Sequence, residues 1–153
     1  MDTAKRIAEY MLSKKVLTPK QVQKLLYYAY SLYLVKYNER YTNERMNRLF
    51  DENIEAWEHG PVIREVYDYI KRLALSNQFL ALRKEINLSD KKTENFIDKI
   101  LMIYGQYSGY ELEQMTHTEL PWKEAMGKAR NSKISDETIY NYYSNKYKIV
   151  DNI

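Results

Sequence analysis

The sequence predicts a mainly helical fold: six or seven helices packed as one compact domain, residues 1–153, around a central apolar helix, with a minor short strand pair at most. Three observations predict it. Residues 17–37 read as a helix that is apolar nearly all round, and such a helix belongs in the middle of a domain. Elsewhere apolar residues recur at three- and four-residue spacing, the period of an amphipathic helix. Helix-start signals stand before these runs: capping boxes at Thr18/Gln21 and Ser108/Glu111, and staple spacings at Leu17/Val22, Tyr107/Leu112 and Ile134/Ile139. A chain of 153 residues is long enough to bury a sizeable core.

Taken in order, the first helix covers residues 3–14, where Ala4, Ile7, Ala8, Met11 and Leu12 make one buried stripe. The central helix starts with Thr18 as N-cap and Pro19 in its first turn, and ends near Asn38. At 3.6 residues per turn, Val22, Leu25, Leu26, Ala29, Leu32 and Tyr33 form one face. Tyr27, Tyr30, Leu34 and Tyr37 form a second, which leaves a narrow polar strip through Lys20, Lys24 and Ser31. This helix is too short to span a bilayer, and Lys24 and Lys36 argue against that placement.

Residues 39–53 are polar and aperiodic and read as an irregular connection, with a short strand or helical turn around residues 48–50. Gly60-Pro61 reads as a breaker followed by a helix start. The third helix therefore runs from Pro61 to near Leu75, with Ile63, Val66, Tyr67, Ile70, Leu73 and Ala74 facing inward. Residues 79–82 and 85–88 read as loop or short strands. Ser89 or Asp90 caps a fourth helix to about Tyr104. Ser108 opens a short helix to about Thr116, residues 116–122 turn, and Pro121 begins another short helix to about Lys128. The last helix runs from Asp136 to about Tyr147 with Ile139 and Tyr143 inward, beyond which the tail frays.

Composition excludes several classes. There is no cysteine, hence neither a disulfide framework nor a thiolate metal site, which fits the cytoplasm. The first residues lack the apolar run of a signal peptide, and no segment suits a transmembrane helix. Net charge is +3 and unevenly spread: residues 1–48 carry ten Lys/Arg against four Asp/Glu, and residues 49–75 carry three against six. Lysines and arginines solvating helix faces explain the basic half better than a nucleic-acid surface does. A helix-turn-helix built from the first two helices would need a polar recognition face, which residues 18–37 lack. The 16 tyrosines are the unusual feature, enough for a core with some left to build a binding surface.

Two histidines bear on metal or hydrolytic chemistry. His59 and His117 each have a carboxylate nearby, Glu58 and Glu119, and two His with one or two carboxylates could hold a divalent metal. No His-x-x-x-His, phosphate-binding glycine loop or nucleophile elbow accompanies them. Turn histidines bonded to backbone are therefore the preferred reading, with no metal and no cofactor. Trp57 and Trp122 flank the two Gly/Pro bends and read as aromatics plugging the core, the other reading being anchors for a partner.

Several pieces recur together: Lys24-Leu-Leu-Tyr-Tyr-Ala29, Ile54-Glu-Ala-Trp57, Gly60-Pro-Val62 with Tyr67 downstream, Thr116-His-Thr-Glu119 and Pro121-Trp122. In this order and spacing, over residues 4–143, they resemble the Panacea, or SocA-like, antitoxin domain of bacterial and prophage-associated toxin–antitoxin loci. The family-motif positions are Leu25, Tyr28, Glu55, Trp57, Gly60, Pro61, Val62, Thr116, His117, Glu119, Pro121 and Trp122, expected to be structural. Where the family often has an aromatic before Gly-Pro-Val, this chain has His59.

The resemblance implies a non-enzymatic cytoplasmic protein that neutralises a toxin encoded by a neighbouring gene, through direct non-covalent binding. The alternatives are a nucleic-acid-binding regulator and a metal-dependent hydrolase using His59 and His117. The candidate toxin-binding surface combines Tyr140 and Tyr142 on the last helix with the acidic residues Asp51, Glu52, Glu55 and Glu58.

Overall fold

The structure is a computed structural model that describes residues 1–76 and 84–146. In chain order it has α1 (Ala4–Lys14), α2 (Pro19–Lys36), β1 (Glu55–Trp57), β2 (Gly60–Val62), α3 (Arg64–Leu75), α4 (Lys91–Tyr104), α5 (Gly109–His117), α6 (Leu120–Lys128) and α7 (Asp136–Lys146). Among the described residues the fold is mainly α with one short antiparallel strand pair.

α2 is the hub. It packs against α1, α3, α4, α5, α7 and β2. Its start is as the sequence predicts: Thr18 accepts from the Gln21 N–H, the Gln21 side chain accepts from the Thr18 N–H, and Pro19 fills the first turn. The second capping box, Ser108 with Glu111, opens α5 in the same way. Packed on several sides, α2 buries most of its two apolar faces and, of its polar strip, Lys24 and Ser31, while Lys20 at the first turn stays partly exposed. The position also leaves α2 no free face for a nucleic-acid groove.

Tyrosines tie the other helices to this centre. The Tyr10 hydroxyl donates to Asp98 (α1 to α4), Tyr69 to Glu9 (α3 to α1), Tyr30 to Asp136 (α2 to α7), and Tyr140 to the Asn38 carbonyl. Each places a large apolar ring in the core and its polar tip on a partner. Much of the tyrosine surplus is thus spent on joining elements.

The region after α2 departs from expectation. Residues 39–53 are irregular, and no strand or helical turn forms at residues 48–50, although Leu49 and Phe50 are buried. Pro61 does not begin α3. It lies in β2 opposite Ala56, and α3 starts three residues later at Arg64. The ladder explains why a proline fits there. The Ala56 N–H and carbonyl turn away from β2, to Ser132 and Asn131, so Pro61 faces a residue that asks it for no hydrogen bond. The segment 131–134 runs along the outer side of β1, with a further bond from the Ile134 N–H to the Ile54 carbonyl. Of the residues expected to face inward from α3, Tyr67 and Ala74 are exposed, while Val66, Ile70 and Leu73 are buried. Residues 85–88 form no strand; residues 79–82 and Tyr147 lie outside the described residues.

Candidate functional site

The motif pieces meet around the hairpin. Gly60 has φ +108°, a conformation that favours glycine. A Cβ there would lie 2.6 Å from Lys24 Cε and 3.1 Å from Thr116 Oγ1. The close approach lets the Lys24 ammonium donate to the Pro61 carbonyl at 3.1 Å. Lys24 is only 2% exposed. Burial pulls its pKa down from 10.5 to about 8, and the nearby Glu113 carboxylate offsets only part of this. Glu113 pairs with Lys20 at 2.7 Å and with His59 Nδ1 at 3.5 Å. Its own burial raises its pKa, but the Lys20 and His59 contacts outweigh this and hold it below the usual carboxylate range.

On the inner side, Tyr28 and Tyr143 both donate to Glu119 Oε1, at 2.6 and 3.0 Å, and the Tyr27 and Tyr143 hydroxyls lie 2.8 Å apart. Tyr28 stacks flat on Tyr104, and Leu25 is fully buried beside it. Pro121 opens α6 and sets Trp122, whose indole N–H donates to the Trp57 carbonyl at 2.8 Å. His117 stacks on Trp122 with ring centres 4.0 Å apart, and burial lowers its pKa.

The two histidines do not pair with the carboxylates beside them in sequence. Glu58 pairs with Arg130 and Glu119 binds the tyrosines, while His59 reaches Glu113. Among the described residues no three His, Asp or Glu side chains gather where they could hold a metal. Neither tryptophan is fully buried, although Trp122 packs against the core. Both are half-buried: Trp57 rests against Tyr67 and the Arg64 guanidinium, and its N–H donates to Glu55.

The candidate binding surface is more committed than its sequence suggests. Tyr140 and Tyr142 are half-buried against the core, Tyr142 edge-on to Tyr143. Glu52 accepts from the Ala4 N–H, Glu55 binds Arg64, and Glu58 binds Arg130. Asp51 is exposed.

A feature that sequence reasoning missed lies on the outer side of the hairpin: an open groove of about 700 Å³ between the start of α2, the hairpin and α3. Trp57, Val62, Tyr67, Ile70 and Ala74 make its apolar wall, and Lys24 and Lys71 also line it. Tyr67, Ile70, Lys71 and Ala74 are spaced i, i+3, i+4 and i+7, one stripe of α3. That stripe was legible, but not that the hairpin would leave half of it uncovered.

The family model for the antitoxin SocA-like, Panacea domain matches residues 22–123, stopping short of residues 4–143 at both ends. No curated protein and no solved structure matches the chain.

Proposed function

The chain belongs to the SocA-like Panacea antitoxin family, and from that premise we propose that it is an antitoxin that neutralises a cognate toxin, the product of a neighbouring gene, by direct non-covalent binding. The observation that carries the reading is the family match over residues 22–123, which takes in every motif residue from Leu25 to Trp122. The reading is non-enzymatic. Several polar groups of the motifs are turned on one another, Tyr28 on Glu119 and Trp122 on the Trp57 carbonyl, where they brace the fold. Neutralisation takes place in the cytoplasm. Among the described residues no helix is long and apolar enough to cross a membrane.

The test is co-expression with each adjacent gene, scored by growth and by co-purification. The expected result is a neighbour that arrests growth alone, is tolerated with this chain, and elutes with it as a stable complex. A harmless neighbour, or rescue without any complex, overturns the proposal.

A further inference from the structure

Resting on that reading, we infer that the groove between α2, the hairpin and α3 is the toxin's docking seat, and that it takes an amphipathic segment of the toxin carrying apolar side chains and a carboxylate.

Size and wall composition support a peptide segment. A cavity of about 700 Å³ falls in the range that holds several side chains. Its wall presents Trp57 and Tyr67, aromatic rings that give large contact area at small entropic cost. Trp57 is already held by the Glu55 carboxylate and the Arg64 guanidinium, so little freedom is lost when a partner packs on it. Tyr67 is 43% exposed, one of the larger apolar side chains left to solvent among the described residues.

The charges identify the polar part of the occupant. Lys20 and Arg130 at the groove's rim are matched by Glu113 and Glu58. Lys71 has no acidic partner among the described residues. Lys24, buried in the floor, donates to the Pro61 carbonyl, a weaker partner for an ammonium than a carboxylate, with Glu113 close enough to offset only part of its burial cost. The groove therefore presents one exposed cation without a carboxylate partner among the described residues, Lys71, with the under-compensated Lys24 beneath it, beside an apolar wall. An incoming Asp, Glu or chain-terminal carboxylate fits that excess and a basic segment does not. The wall's apolar character favours a protein segment over a nucleic-acid backbone.

Calorimetric titration of the purified chain with the purified product of the adjacent toxic gene tests this. Ala74→Arg places a long cation across the wall from an exposed helical position, Tyr67→Ala removes an anchor, and Lys71→Glu reverses the rim charge. Each is expected to weaken binding tenfold or more with an unchanged thermal melt. Met102→Arg, at an exposed position on α4, is expected to bind as wild type. At least one Asp/Glu→Lys variant of the toxin should lose binding and regain it with Lys71→Glu. If wild type binds and the three groove variants bind within twofold of it, the seat is wrong while the antitoxin reading stands. If no toxin carboxylate responds to Lys71→Glu, the stated chemistry is wrong. A chain that self-associates through the groove, with Ala74→Arg making it monomeric, overturns the inference in favour of a second copy. Duplex DNA or RNA binding that Lys71→Glu abolishes, with toxin affinity unaltered, overturns it in favour of nucleic acid. If wild type forms no complex at all, the antitoxin reading itself falls.

Discussion

Gly60 and Lys24 form one device. The lysine stem lies where a Cβ at Gly60 would stand, and the backbone there has φ +108°. Gly60→Ala therefore meets two penalties, a strained backbone and a displaced Lys24, and is expected to cost about 1–3 kcal/mol in urea unfolding. Lys24 makes a second prediction. Its native pKa is about 8 against 10.5 for the free side chain. Between those values the unfolded chain holds a proton that the native chain has released, so this group's contribution makes stability rise with pH. From pH 8 to about 9.5 the gain is about 1–2 kcal/mol. Across that range the unfolding midpoint of wild type should rise relative to that of Lys24→Met, which lacks the titrating group.

At the scale of the elements, helices announce themselves and the hairpin does not. Thr18, Pro19 and Gln21 specify the start of α2 through contacts within one turn. Gly60-Pro61 reads locally as a helix start, yet forms a strand, and Pro61 is tolerated there because Ala56 opposite it turns its N–H and carbonyl to residues 132 and 131 far along the chain. The turn from β2 into α3 is held from α2: the Gln23 side chain accepts from the Ile63 N–H at 2.9 Å and donates to the Ile63 carbonyl at 3.2 Å, with Gln23 buried. Gln23→Leu keeps the volume and strands the Ile63 N–H, while the Ile63 carbonyl keeps the Tyr67 N–H as donor. It is expected to lower stability by about 1–3 kcal/mol and to speed hydrogen exchange at the Ile63 amide. Unchanged exchange there would mean that Gln23 does not hold this junction.

For the whole molecule, the tyrosine links set the response to alkali. Burial, reinforced by the carboxylates nearby, raises Tyr30 and Tyr143 far above the usual tyrosine value of 10, and it raises Tyr69 and Tyr104 to about 12. A native pKa above the unfolded one means that the stability is fully present below about pH 10 and is lost as pH rises toward the native values. Tyrosinate absorbance near 295 nm is therefore expected to rise in a cooperative step above about pH 10, coincident with loss of the helical circular dichroism signal. Gradual ionisation with the helical signal intact would show that these hydroxyls do not hold the elements together.

The sequence by itself determined the helices, the central place of α2, most of the core and the family, because stripes, caps and motif order are written in residues near one another. It also marked His117, Glu119 and Trp122 as motif positions, without saying what each would touch. Tertiary structure alone decided that Lys24 is buried, that His59 pairs with Glu113, that Trp57 and Trp122 stop half-way into the core, and that Tyr67 and Ala74 border an open groove. The physical reason is the same in each case. Helical periodicity says which residues share a face, but whether a face is covered depends on what distant segments pack over it. Here the elements packed around α2 carry Lys24 and Ser31 of its polar strip inside, and a hairpin only three residues long on each strand leaves part of α3 bare.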